Sequence, residues 1–84
     1  MAKYGYHDRE IEKGTLGSIS KIREEFEELM DAHGQGNKIM ELCELADLIG
    51  AIEHYAASHY KLTLDDIIKM TRATQEAFQQ GRRK

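Results

Sequence analysis

From about Lys38 to Tyr60 the chain carries Ile39, Met40, Leu42, Cys43, Leu45, Ala46, Leu48, Ile49, Ala51, Ile52, Tyr55 and Ala56. At helical spacing these residues take up nearly the whole circumference, and a helix that is apolar on most sides must be covered on most sides. The rest of the chain is too small to provide that cover. With 84 residues and 40% hydrophobic content it forms one domain at most, and a chain of this length buries only about two thirds of the surface that its unfolded form exposes. A second subunit is therefore expected to cover what the chain itself leaves open. Disulfides cannot compensate, because Cys43 is the single cysteine. Within its apolar run it is expected to pack in the core as a small hydrophobe.

Proline is absent, phenylalanine occurs only at Phe26 and Phe78, and the β-branched residues are scattered. An all-α fold follows. Residues 1–17 hold Gly5, Gly14 and Gly17 among mixed charges with no apolar period, and read as an arm or loop that includes Tyr4, Tyr6 and His7. Ser18 or Ser20 is suited to cap a first helix, on which Ile22, Phe26, Leu29 and Met30 share one face as far as about His33. Gly34, Gln35, Gly36 and Asn37 supply a stop, a turn and the next N-cap. After the second helix, Thr63 with Asp66 forms a capping-box-like start. A third helix is expected to bury Leu64, Ile67, Ile68, Thr71 and Phe78 and to end at Gly81, with 81–84 as a basic tail.

The expected architecture is a three-helix subunit over 18–80, its first two helices forming an antiparallel hairpin, assembled into a four-helix-bundle-type homodimer or homotetramer. No apolar stretch approaches the length of a membrane span, and Met1 to Tyr4 lack a signal-peptide core. A reducing, cytoplasmic setting without a membrane partner is the expectation. The net charge of -3 provides no basic field to draw the chain to nucleic acid, and Arg82, Arg83 and Lys84 read as a solvated end.

The acidic residues carry the chemistry. Glu25 and Glu28 are three apart, as are Glu44 and Asp47, so each pair projects from adjacent turns of one helix face. If the helices fold back about the glycine turn, Glu28 and Glu44 lie level, because both are eight positions from Gly36. Glu25 and Asp47 share the same pivot, and so do Asp31 and Glu41, which gives rungs about 4.5 Å apart. Two arrangements are open: the rungs face solvent as an ordinary charged surface, or they meet at a partly covered junction. Crowded carboxylates at such a junction need a cation or protons, and an all-oxygen donor set suits magnesium or manganese rather than zinc.

The run Lys21-Ile22-Arg23-Glu24-Glu25-Phe26-Glu27-Glu28-Leu29, followed by Glu44-Leu45-Ala46-Asp47-Leu48-Ile49, resembles the paired EExxE and ExxD signature of the MazG-like all-alpha nucleoside triphosphate pyrophosphohydrolases. The resemblance continues through Leu62 to Met70 and covers about residues 19 to 78. It implies magnesium-dependent cleavage of a nucleoside triphosphate, such as a dNTP or a modified nucleotide, to the monophosphate and pyrophosphate. Glu25, Glu28, Glu44 and Asp47 are then the metal ligands, and Glu24 and Glu25 are the candidate catalytic carboxylates, Glu24 as a second-metal ligand or water-orienting base. Relatives often carry a lysine on the third helix with an asparagine four residues later. Lys69 is present, but the later position is Ala73, and Arg72 is placed to substitute. His54, seven residues beyond Asp47, borders the same face. Lys69, Arg72 and His54 are thus the candidate substrate contacts.

Three other readings compete. A module of the same scaffold could bind a nucleotide or a partner protein without turnover. A di-iron bundle needs Glu-x-x-His pairs, and no glutamate of this chain has a histidine three residues later. A bundle whose acidic face is merely solvated would neither bind magnesium nor gain stability from it.

Overall fold

A computed structural model of the chain describes residues 7–79. Three helices follow one another, α1 Ile19–Gln35, α2 Lys38–Tyr60 and α3 Leu64–Gln79, with no strand among the described residues. The expected Gly81 stop, the basic tail, Tyr4 and Tyr6 lie outside the described residues.

Each boundary has a local cause. The side chain of Ser18, not that of Ser20, caps α1 by accepting the Ser20 N–H. At the other end Gly36 adopts φ 70°, ψ 20°, the left-handed conformation open to glycine without a Cβ penalty. Its N–H donates to the His33 carbonyl (3.0 Å) and the next N–H, that of Asn37, to the Ala32 carbonyl (3.3 Å). The helix runs two residues past the expected His33, because Gly34 is tolerated within the last turn. Asn37 then accepts the Met40 N–H at 3.0 Å and starts α2 at once. The reciprocal Thr63 and Asp66 bonds (2.9 and 3.2 Å) open α3.

The short turn folds α1 and α2 into an extensive hairpin, whereas α3 touches only α2, and sparsely. The radius of gyration is 15.4 Å, against about 12 Å for a compact chain of this length. No described helix is long and apolar enough to cross a membrane.

The interior departs from the usual pattern. Among the described residues the buried apolar side chains are Ala32, Ala51 and Ala56, while Glu24, Glu25, Glu28, Asp31 and Glu44 are buried with them. Many of the large apolar residues face outward instead, with Ile39 77% and Leu42 67% exposed, while Ile22, Leu29, Leu48 and Ile52 are half-buried. Cys43 is exposed, not packed in a core, and Phe26 is half exposed where core packing was expected. The expected buried stripe of α3 is also absent: α3 has no buried residue, and Ile68, Thr71 and Phe78 are exposed. Among the described residues the hairpin thus buries carboxylates while much of its large apolar surface stays exposed.

Candidate metal centre

Two of the three expected rungs bring their carboxylates together at the hairpin. Glu25, Glu28 and Glu44 are buried where α1 meets α2, with Glu28 against Glu44 across the helix pair and against Glu25 along α1. Asp47 is exposed, but its carboxylate joins those of Glu25 and Glu44 in one group whose ligand atoms lie within 4.8 Å of each other. Glu24, Glu25 and Glu28 form a second such group on α1. Oε2 of Glu25 and Oε2 of Glu44 are both buried with no hydrogen-bond partner. An unpaired buried carboxylate oxygen carries an uncompensated desolvation cost.

Burial first, then the charge of neighbouring carboxylates, sets the protonation of this cluster. Burial raises the Glu25 carboxyl above its ordinary value, Glu28 adds to the rise, and Lys21 partly offsets it. Glu28 is raised by burial and by Glu44, although its contact with Glu25 works the other way. Glu44 is raised by burial and, despite its contact with Glu28, by the charges of Asp47 and Glu25. The three side chains pushed toward the neutral form are therefore neighbours in one cluster.

Glu24 behaves differently although it is adjacent in sequence. Burial would raise it too, but the Gly14 N–H and the lysines Lys21 and Lys13 outweigh burial and hold it below the ordinary value. Its Oε1 accepts from Gly14 N–H at 2.7 Å and from Lys21 Nζ at 3.1 Å, and Lys13 Nζ lies 3.7 Å from Oε2. Glu24 thus fastens the residues before α1 to the helix. Gly14 permits this, since a Cβ there would sit 2.3 Å from the Ser20 carbonyl oxygen. Lys21 also reaches Glu25 at 3.3 Å. Its placement one turn before both glutamates is a helical spacing visible in the sequence, which makes Lys21 the one neighbour of the cluster that spacing alone could have identified.

The third rung is not used as expected. Asp31 and Glu41 do not share a ligand position, because Glu41 accepts from His33 Nδ1 at 2.8 Å and Asp31 is taken up by the N-terminal segment. His7 Nδ1 lies 2.9 Å from Asp31 Oδ2, and the Asp8 N–H donates to both Asp31 oxygens at 3.2 Å. Gln35 Nε2 donates to Oδ2 at 2.8 Å. Burial alone would raise Asp31, but His7, Gln35 and the Asp8 N–H together lower it. The other ring nitrogen of His7 stands 3.7 Å from Glu28 Oε1, and His7 forms a third group with Glu28 and Glu44. Sequence reasoning had no signal for this contact, which spans 24 positions without any periodic relation.

The remaining candidates stand apart. His54, Lys69 and Arg72 are exposed, and α3, which carries the last two, makes no contact with α1. Within one chain they are not brought against the carboxylates. Tyr55 stacks on His59 with ring centroids 4.3 Å apart. A cleft of about 590 Å³ lies between the N-terminal segment and the outer side of α1, lined by residues that include Arg9, Lys13, Ile19, Arg23 and Glu27, and none of the cluster carboxylates borders it. Compared with family models, with curated proteins and with solved structures, the chain finds no match in any of the three.

Proposed function

We propose that the chain is a magnesium-dependent nucleoside triphosphate pyrophosphohydrolase that works as a homo-oligomer. The observation that carries this reading is the pair of buried, unpartnered oxygens, Glu25 Oε2 and Glu44 Oε2, within a cluster of four carboxylates. A polar interior of like charge is costly, and a divalent cation is the ligand whose chemistry removes that cost. The donor set is all carboxylate oxygen on α1 and α2, which fits magnesium, with manganese as a substitute. Glu25, Glu28, Glu44 and Asp47 would hold it. When bound there, the ion screens phosphate oxygens and acts as a Lewis acid toward the triphosphate.

The chain's own groups supply the remaining steps. Water attacks the α-phosphorus of the nucleotide, the α–β bridging bond breaks, and pyrophosphate leaves. Glu25, whose Oε2 has no hydrogen-bond partner, would orient that water and accept its proton. Glu24 is engaged by Gly14, Lys21 and Lys13 and keeps Lys21 beside Glu25. The candidate substrate contacts on α2 and α3, His54, Lys69 and Arg72, require a second subunit to bring them to a cluster.

Assembly rests on a separate observation. Ile39, Leu42, Leu45 and Ile49 form one exposed stripe on α2, and Ile19, Phe26 and Met30 form one on α1. Three buried alanines make a poor core, and fully covering each large aliphatic side chain contributes about 1.5–3 kcal/mol. A second copy of the chain, closing a four-helix bundle, covers both stripes.

The test is pyrophosphate release from a panel of canonical and modified nucleoside triphosphates with and without magnesium. Release that depends on magnesium and falls more than about 100-fold in Glu44→Gln and Asp47→Asn, with helicity unchanged, is the expected result, since even residues behind metal ligands change activity about 10–100-fold. If magnesium raises the melting temperature but no triphosphate is cleaved, the chain is a binding module on the same scaffold and the hydrolase reading fails.

A further inference from the structure

The N-terminal segment brings to the carboxylates a residue of a different donor class. His7 lies against the cluster with 17% of its side chain exposed. Its Nδ1 faces Asp31 Oδ2 at 2.9 Å. Asp31 is held in turn by Gln35 Nε2 and by the Asp8 N–H, so its carboxylate has little freedom to turn. An ionised carboxylate only accepts hydrogen bonds, which places the imidazole proton on Nδ1. Nε2 is then the nitrogen that faces the cluster, 3.7 Å from Glu28 Oε1, too far for a hydrogen bond between the two. Two donors that share one ion at about 2.1 Å each stand no more than about 4.2 Å apart, and the Nε2 to Oε1 separation falls within that limit.

Glu44 completes the group. Ligand atoms of His7, Glu28 and Glu44 lie within 4.8 Å of one another, so a shift of a few tenths of an ångström lets them share an ion. Glu44, with 8% of its surface exposed, contributes the independent sign of a missing ligand, because its Oε2 is buried without a partner. A histidine whose Nδ1–H is fixed by a carboxylate while Nε2 faces other donors is the arrangement in which metal-binding histidines are oriented and made more basic.

We propose that His7 is a nitrogen ligand of the centre, held in place by Asp31, and that with Glu28 and Glu44 it gives the site a preference for a divalent first-row transition metal over magnesium. The inference rests on the reading that the carboxylate cluster binds a cation. It adds the donor that changes which cation is held most tightly, because imidazole nitrogen suits transition metals whereas magnesium prefers oxygen and keeps its water. It also gives the N-terminal segment a purpose, since bound metal would tie that segment to the hairpin.

Manganese(II) is the probe, since it is paramagnetic and accepts both donor types. Pulsed electron paramagnetic resonance of the full chain loaded with manganese should show coupling to a directly bound nitrogen, and His7→Ala and His7→Gln should both abolish it. The same variants should weaken manganese binding about 10-fold or more while changing magnesium affinity much less, and Asp31→Asn should weaken manganese binding about 10–100-fold. Circular dichroism checks that each variant keeps its helices. If manganese binds without nitrogen coupling, or if His7→Ala tightens binding of both ions, His7 is a cationic cap that competes with metal and the proposal is overturned while the cation site survives. If manganese does not bind at all, both readings fall together.

Discussion

The two faces of the α1–α2 hairpin reverse the ordinary distribution of polarity. The inner face carries Glu24, Glu25, Glu28, Asp31 and Glu44, all buried, whereas the outer face carries Phe26, Met30, Ile39, Leu42, Leu45 and Ile49, all exposed. On α1 the two sets lie on opposite sides of the helix, as a step of about 100° per residue requires. In a self-sufficient domain the apolar side turns inward and contributes most of the stability. Here both faces leave groups unmatched: on the inner face Lys21, Lys13 and His7 meet Glu24, Glu25 and Asp31 but leave Oε2 of Glu25 and of Glu44 without a partner, and the outer face leaves large apolar side chains exposed.

The largest expected effect strikes the outer face. Leu42→Lys combined with Ile49→Lys should weaken self-association at least about 100-fold, since the two side chains together contribute about 3–6 kcal/mol when covered. Sedimentation equilibrium measures it. A native chain that is monomeric at high concentration would show that the outer face needs no partner.

The inner face should respond to pH and to metal. In the folded chain Glu25, Glu28 and Glu44 titrate above their ordinary value of 4.5, so there the folded state binds more protons than the unfolded one. Their contribution is present in full below 4.5 and is lost as pH rises through the raised values. Glu24 and Asp31 act in the opposite sense, since their lowered values make their contribution disappear as pH falls below the ordinary 4.5 and 3.8. Urea unfolding of metal-free protein should therefore show stability declining as pH rises above the ordinary value of 4.5. Saturating magnesium should flatten the decline, and Glu28→Gln should reduce it without metal. A stability that instead rises with pH in metal-free protein would mean that the carboxylates are not crowded as described.

The smallest effect serves as a control at the joint between the faces. Asn37→Ala removes the cap that accepts the Met40 N–H and should cost about 1 kcal/mol. The loss should be equal with and without magnesium, because the cap touches neither face. A loss that depends on metal would show that the turn is coupled to the site.

What the sequence made legible was local. The Gly36 turn, the Asn37 cap and the Thr63 with Asp66 capping box depend on neighbours within a few positions, and each is found where its residues indicated. The level placement of Glu28 and Glu44 follows from the same turn, since a tight pivot fixes the register of both helices. Asp31 illustrates the limit. Its equal distance from Gly36 suggested a rung with Glu41, but besides Gln35 one turn on it is taken by His7, 24 residues away, and no periodicity reports that second contact. Cys43 and Phe26 mark a second limit: apolar character tells that a side chain favours cover but not whether the chain's own fold provides it, and both are exposed. Ile68 repeats this on α3, a helix that has one small contact surface on α2.

The two-residue link between α1 and α2 also bears on the order of events during folding. Contacts across a tight helical hairpin close short loops and form quickly, while the docking of His7 on Asp31 must close a longer one. The cluster carboxylates are thus gathered before the segment that supplies the imidazole arrives. A hairpin formed first in this way would hold like charges together with its apolar side bare. If the cluster binds a cation as proposed, that ion would relieve the charge repulsion as the hairpin forms, and the chain's folding rate would then record the metal content of its surroundings.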